Sequence, residues 1–569
     1  MTDRILLATL NEPRDRAARE SAYARVSWPT NLAPASVSYQ SHGHLLIVGD
    51  EASTRLAAQR LQRTEALASI SLLITTATPA GTDETAALAA FEATSELPCH
   101  QAHHAHIEGH LGTFRVEVAL DDGQIANLSR ACIGRESFDL ILDLGAPALL
   151  DLQLPPPGYH AVRWGSVESD EALATIADSV GEFEKPKYFQ IDPALCAHAG
   201  RGKRGCTRCL EVCPADAIAS VTRRVEASIE IDPFRCHGAG SCTSACPTGA
   251  IQYLLPQPQR QLDYVTRLLD AYRAGGGQTP VVRFVDQTWC GRELQTAAGH
   301  VLDVPLEELG AAGQEHWLAA LADGAAEVRI QRHAGLPASL AALIEDQLAQ
   351  ARALLTALGH DPRRIGVIDT AEQRDASPGF AALTPRDTPA STTAGKRERL
   401  NAVIDYLASQ GHPSGVREPV PAGAPFGSVE VDSDVCTLCM ACVAVCPTPA
   451  LAGGGDSTPQ LSFREADCVQ CGLCQDACPE GAIRLEPGFL ADIEARASRR
   501  VCREEAAFEC IRCGKPFATA STIASIKAKL ADHPYFAGDA LARLEMCQDC
   551  RVRDVWYELA RDPEAQLKV

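Results

Sequence analysis

"CTLCMACVAVCP", Cys436 to Pro447, and "CVQCGLCQDACP", Cys468 to Pro479, are two copies of one pattern. Each reads cysteine, two residues, cysteine, two residues, cysteine, three residues, cysteine, proline. Three thiolates two residues apart lie on a single tight loop. Such a loop wraps three corners of an iron–sulfur cube and turns backbone N–H groups toward the sulfurs. The fourth cysteine falls too far along to close the same cube. Zinc is the competing use of grouped cysteines, but eight of them in a duplicated array at this spacing point to iron–sulfur centres. A short apolar stretch follows each Cys-Pro, "TPALA" and "EGAIRL".

Upstream the same device recurs, altered twice. "CAHAGRGKRGCTRCLEVCP" supplies Cys196, Cys206, Cys209, Cys213 and Pro214, with nine residues where two are usual before Cys206. The inserted loop is rich in Gly, Arg and Lys and is able to bulge into solvent. "CHGAGSCTSACP" supplies Cys236, Cys242, Cys246 and Pro247, with Ala239 where a cysteine belongs. Gly238 and Gly240 are expected to let this loop pass close to an inorganic core. The two cysteine-rich blocks, 191–255 and 427–488, form an internal repeat.

Both blocks resemble bacterial two-cluster ferredoxins. The resemblance implies crossed ligation, in which the fourth cysteine of each run serves the other cluster. Cys436, Cys439, Cys442 and Cys478 then hold one [4Fe–4S]. Cys468, Cys471, Cys474 and Cys446 hold a second, and Cys196, Cys206, Cys209 and Cys246 a third. Cys213, Cys236 and Cys242 remain, three thiolates only. That site has three fates: a [3Fe–4S] centre, four irons with His237, water or substrate on the fourth, or no cluster. Loss of this one cysteine is how seven-iron ferredoxins look, so [3Fe–4S] is expected, as the higher-potential member of the chain.

At 569 residues the chain accommodates several domains, and its 46% apolar content is that of globular proteins. No apolar run reaches the length of a membrane span. The opening "MTDRILLATLNEPRDRAARE" has too short an apolar patch for a secretory signal, so a cytoplasmic location is expected. In a reducing compartment, grouped cysteines among the 23 present are metal ligands rather than disulfides. A net charge of −21 opposes nucleic-acid binding and suits a basic docking patch on another protein.

The whole reads as multidomain α/β plus α+β: two ferredoxin modules, a flavodoxin-like α/β domain and a helical zinc-knuckle tail. Residues 1–190 form an α/β domain with strands at His44–Asp50, Ile70–Thr76 and Phe138–Leu144, and a hairpin turning at Asp122-Gly123. Its strand–helix turn, "VGDEAS", lacks the glycines of a dinucleotide site. After the 191–255 module, residues 256–370 form a small α/β domain. It has a helix bearing Leu262, Val265, Leu269 and Tyr272, and strands "VVRFVD", "EVRI" and "IGVID", whose alternation with helices predicts a parallel sheet. Residues 371–426 are a linker and a helix leading into the 427–488 module.

The tail, 489–569, carries Cys510, Cys513, Cys547 and Cys550 as two C-x-x-C pairs, expected to hold structural zinc; a cluster or simple buried thiols are the alternatives. Helical spacing of Ile523, Ile526 and Leu530 places a helix between them. Cys99, Cys132, Cys290 and Cys502 are left as expected buried thiols, with Cys502 placed to swap in beside the knuckles. His100, His103, His104, His106 and His110 form a tract read as a solvated loop before a metal site. No catalytic triad, P-loop or carboxylate pair emerges from the spacing.

"GHLGTFRV", "FDLILDL", "PPPGYH", "GEFEKPKYF", "CTRCLEVCP" and "CIRCGKPFA" resemble the large cytoplasmic ferredoxin-like proteins found with bacterial molybdenum formate dehydrogenases. "VPLEELGAAGQEHWLAALADGA" resembles the delta subunit of methyl-viologen-reducing hydrogenase, whose cluster cysteines are reduced here to Cys290. These resemblances imply an electron-transfer component, not itself a catalyst, that passes single electrons between a redox enzyme, formate dehydrogenase among them, and a carrier or quinone-linked partner. The alternative is an assembly or redox-sensing factor for a molybdoenzyme.

Overall fold

The computed structural model describes residues 2–30, 32–78, 83–120, 123–198, 205–223, 226–287, 297–387, 395–454, 458–536 and 539–561. It is a mixed α/β molecule built on two parallel sheets, with two small cysteine-rich modules beside them. No helix among the described residues is long and apolar enough to cross a membrane.

The first sheet has five parallel strands, in the order Cys99–Gln101, Ser69–Thr76, His44–Asp50, Leu140–Asp143, Tyr159–Ala161. Its central strands are continuous apolar runs because both faces are covered. In chain order this is 3-2-1-4-5, the arrangement of dinucleotide-binding sheets rather than of flavodoxin. The helix Glu51–Leu61 nevertheless begins on Asp50, whose carboxylate accepts from the Ser53 N–H at 3.1 Å. The helix start that would face a pyrophosphate is thus capped by an anion of its own.

The second sheet runs Val301–Leu306, Val281–Asp286, Glu327–Gln331, Ile365–Ile368, all parallel, with order 2-1-3-4 in the chain. Pro258–Ala274, Gln314–Ala322 and Ala338–Ala357 cover it. The first helix of the chain, Thr2–Arg25, belongs to this body and not to the sheet that follows it in sequence. Ala18, Ala22 and Val26 join the core of Leu262, Val265 and Leu269. Tyr23 and Arg19 reach the buried Arg283–Asp303 pair. Helix Lys396–Gln410 also docks here, through Leu400, Val403, Ile404 and Leu407.

The tail is not wholly helical. Its strand Arg500–Glu504 adds to the module hairpin Leu451–Gly454/Gln460–Phe463, and Ala507–Glu509 pairs with Pro516–Thr519. Helices Ala520–Leu530 and Gln548–Arg561 follow. The strands are too short for their alternation to register as a period in the sequence.

Candidate iron–sulfur sites

In the second module, Gly427–Val431 pairs with Ile483–Pro487, and Leu451–Gly454 with Gln460–Phe463. These two antiparallel pairs bring the ends of each cysteine run to the opposite loop. Cys436, Cys439, Cys442 and Cys478 line one cavity, walled by Leu438, Leu461 and Ile483. Cys446, Cys468, Cys471 and Cys474 line another, walled by Val429, Phe463 and Leu473.

The loops are shaped around those sulfurs. Leu438, Met440, Gln470 and Gly472 have φ of 56°, 60°, 51° and 83°. Left-handed backbone at non-glycine residues is costly and persists where the surroundings demand it. It lets N–H groups face inward: Leu438 N–H donates to Cys436, Val443 to Cys442, Gln470 to Cys468 and Leu473 to Cys471. Ala482 N–H donates to the Cys478 sulfur at 3.3 Å. Burial, reinforced by neighbouring thiolates, pushes Cys442 up to about 12 and Cys471 to about 11. Four ionised thiolates are tolerable in such a cage only around a cationic core, and soft sulfur donors with inward N–H groups fit an iron–sulfide one.

In the first module, burial and then the charges of Cys246, Cys206 and Cys196 push Cys209 up to about 12, so these four thiols lie near one another. Cys242 is raised well above the ordinary thiol range by burial and then by its neighbours Cys236 and Cys213. The loop through Ala239 keeps the left-handed positions of the intact loops, with φ of 83° at Gly238 and 74° at Gly240. The room these glycines make is for protein. A Cβ on Gly238 would lie 2.6 Å from the Tyr188 ring, and one on Gly240 2.4 Å from the Ala311 nitrogen. His237 does not turn to the fourth corner with its Nε2, which donates to the Pro155 carbonyl at 2.7 Å.

Sequence reasoning missed the cations around these thiols. Lys185 Nζ donates to the Phe234 and Cys236 carbonyls at 2.8 and 2.9 Å. Lys396 Nζ donates to Thr243 and Ser244, and it is the strongest influence pulling Cys246 down against its burial. Arg397 donates to the Ala466 and Cys468 carbonyls. Arg208 Nη1 lies 3.5 Å from the Cys206 sulfur. The hints in the sequence were "GEFEKPKYF", which contains Lys185, and "CTRCLEVCP", which contains Arg208.

The sulfurs of Cys510, Cys513, Cys547 and Cys550 all lie within 4.8 Å of one another, the sole such ligand group among the described residues. Burial opposes ionisation of Cys510, yet the N–H groups of Cys547, Arg512 and Cys513 pull it down to about 6. Cys502 packs in the core of the second module, where it is raised by burial and next to Cys436, and not beside the knuckles. Cys99 is exposed rather than buried, Cys132 is half-buried, and Cys290 lies outside the described residues. The histidine tract disperses: His106 pairs with Glu108, and His110 stacks on Phe234 at 4.4 Å.

Residues 204–250 and 435–483 match models of the 4Fe-4S dicluster domain. An uncharacterized ferredoxin of Methanocaldococcus jannaschii is 37% identical over 62 residues, 97% of its length and 10% of this chain. An iron-sulfur subunit of the CoB–CoM heterodisulfide reductase from the same organism is 37% identical over 71 residues, 11% of its length and 10% of this chain. The ferredoxin-type protein NapF of Escherichia coli is 30% identical over 78 residues, 47% of its length and 14% of this chain. The chain thus spans nearly all of the first relative, about half of NapF and a small part of the reductase polypeptide.

Proposed function

Because the chain belongs to the ferredoxins, carrying the 4Fe-4S dicluster domain twice, we propose that it relays single electrons to or from a partner oxidoreductase in the cytoplasm. The observation that carries this reading is the pair of cavities in the second module, each lined by three cysteines of one run and the fourth of the other. [4Fe–4S] clusters held there supply a reversible one-electron couple. The chain's own residues hold the irons, exclude water with Leu438, Leu461, Phe463 and Leu473, and direct N–H groups to sulfur.

The proposed ligand sets are Cys436/Cys439/Cys442/Cys478, Cys446/Cys468/Cys471/Cys474 and Cys196/Cys206/Cys209/Cys246 for [4Fe–4S]. Cys213/Cys236/Cys242 would hold [3Fe–4S], and Cys510/Cys513/Cys547/Cys550 zinc. The cavities of the second module and the convergence of the four knuckle sulfurs support their sets, and the first-module sets follow from the mutual influence of their thiols on ionisation. A molybdenum formate dehydrogenase is the proposed partner, on the resemblance of the chain's non-cluster segments.

Anaerobic purification of the full chain tests this. The expected result is about fifteen irons and one zinc per chain, an oxidised-state three-iron EPR signal, further signals on reduction, and reduction by formate in the presence of the dehydrogenase. Colourless, iron-free protein overturns the carrier. Iron-loaded protein that formate dehydrogenase neither reduces nor oxidises overturns the partner.

A further inference from the structure

We propose that the two dicluster modules are joined in series. The site of Cys196/Cys206/Cys209/Cys246 faces that of Cys446/Cys468/Cys471/Cys474 across a junction held by Arg208 and helix Lys396–Gln410. This inference rests on the electron-carrier reading and gives that carrier a path and an exit.

Arg208 is the contact at the centre. Its Nη1 lies 3.5 Å from the Cys206 sulfur and 3.4 Å from the carbonyl of Val469, the neighbour of Cys468. Its Nε and Nη2 donate to the Gly423 carbonyl at 3.2 and 3.0 Å, at the entry to the second module. Gly205 packs against Leu473: a Cβ there would sit 3.1 Å from the leucine side chain.

Two successive residues of one helix fix this approach. Lys396 Nζ donates to Thr243 and Ser244 of the first module, at 2.9 and 3.0 Å. Arg397 donates to Ala466 and Cys468 of the second, at 2.9 and 2.8 Å, and Asn401 adds a bond to Ala466 at 2.9 Å. Each cation grips carbonyls next to cluster cysteines of a different module. Their helix is packed in the core of the second sheet, so the grip is rigid.

Within the second module the two sites adjoin, because Cys478 of one run lines the first cavity and Cys446 of the other run lines the second, and the file continues from the junction through them. The three-thiol end is closed in by Pro155, Tyr188 and the 310–311 backbone. At the other end Cys439 is exposed. Clusters held in these sites would pass one electron at a time along this file: an external one-electron reductant would reduce the first, and each centre would be oxidised by one as it reduces the next by one, until the electron leaves at the exposed Cys439 end.

EPR of the full, iron-loaded chain reduced with dithionite provides the test. The variant C206A/C209A removes the first module's inner site. The signal of the second module is expected to sharpen, through loss of the magnetic interaction across the junction. An unchanged second-module lineshape with the first-module iron gone overturns the series arrangement. The variant R208Q keeps every thiol and covers the case in which C206A/C209A fails to fold. Loss of a positive charge lying between two centres is expected to lower two reduction potentials, one in each module. A shift confined to one module, or none, overturns the junction. Wild-type protein lacking iron sinks the carrier reading itself, a result distinct from iron-loaded modules that ignore one another.

Discussion

Ala239 sits in a loop whose backbone is still that of a cluster-binding turn, with left-handed φ at Gly238 and Gly240 where the intact loops have Leu438 and Met440. Only the sulfur is missing. Ala239→Cys is therefore expected to restore four-iron ligation: the oxidised-state three-iron EPR signal disappears and the iron count rises by about one per chain. Persistence of that signal in the variant argues against the assigned loop. A different residue governs pH behaviour. Burial, with help from Asp286 and Glu307, pushes Glu308 up to about 7 from its ordinary value. A carboxyl raised in the folded state binds more protons there than in the unfolded chain. Stability is then full below the unfolded pKa and declines as pH rises toward 7. Glu308→Gln abolishes that loss. After discounting for partial exposure, it is expected to stabilise by about 1–2 kcal/mol at pH 8 and negligibly at pH 5. Thermal melts of both proteins at the two pH values check this. The thiols were legible as residues because their spacing is local. Lys396 and Lys185 were not, because each acts on backbone carbonyls far from it in sequence, and Arg208, although it stands between Cys206 and Cys209, also bonds the remote carbonyls of Val469 and Gly423.

Among the elements, the knuckle hairpin Ala507–Glu509/Pro516–Thr519 and the start of Gln548–Arg561 have almost no core of their own, only Cys510, Met546 and Cys547 with Phe517 and Cys550 packed on them. Their fold depends on what the four sulfurs hold. Cys510→Ala with Cys547→Ala is expected to lose one zinc per chain with the iron count unchanged, and to open 507–561 to limited proteolysis before any other segment. Loss of iron instead places a cluster there. The long helices Pro258–Ala274 and Ala338–Ala357 were readable because each presents a continuous apolar stripe. The strand Val301–Leu306 was not. Its sequence, "VLDVPL", breaks the apolar run with Asp303 and Pro305, and the aspartate is tolerated inside because Arg283 and Arg19 pair with it. Thr2–Arg25 was hidden by Pro13 and by a buried face that sets Asp15 and Arg19 beside Ala18 and Ala22 and so carries little hydropathic contrast.

At the scale of the whole molecule, the first helix and the cluster junction share one core. Ala18 and Ala22 are fully buried against Pro258–Ala274, the Asp15 carboxylate accepts from Tyr272 at 2.8 Å, and Glu12 accepts from Gly299 N–H at 3.0 Å. The same core holds Leu400, Val403, Ile404 and Leu407 of the helix whose Lys396 and Arg397 grip the two modules. The sheet of His44–Asp50 and Leu140–Asp143 has separate cores, built from Leu45, Ile47 and Leu142 on one face and Leu46, Val48 and Ile141 on the other. Damage to the first helix should therefore travel to the clusters and bypass the sheet adjacent to it in sequence. Ala22→Asp places an unpaired charge at a site of zero exposure, at a cost of about 3–5 kcal/mol. The expected outcome on heating is early bleaching of the iron–sulfur absorbance together with loss of amide protection at 258–274 and 396–410. Protection at 44–50 and 140–143 should stay at the wild-type level through that first transition. Loss of protection in the five-stranded sheet before the clusters bleach would show that the first helix stabilises its sequence neighbours instead.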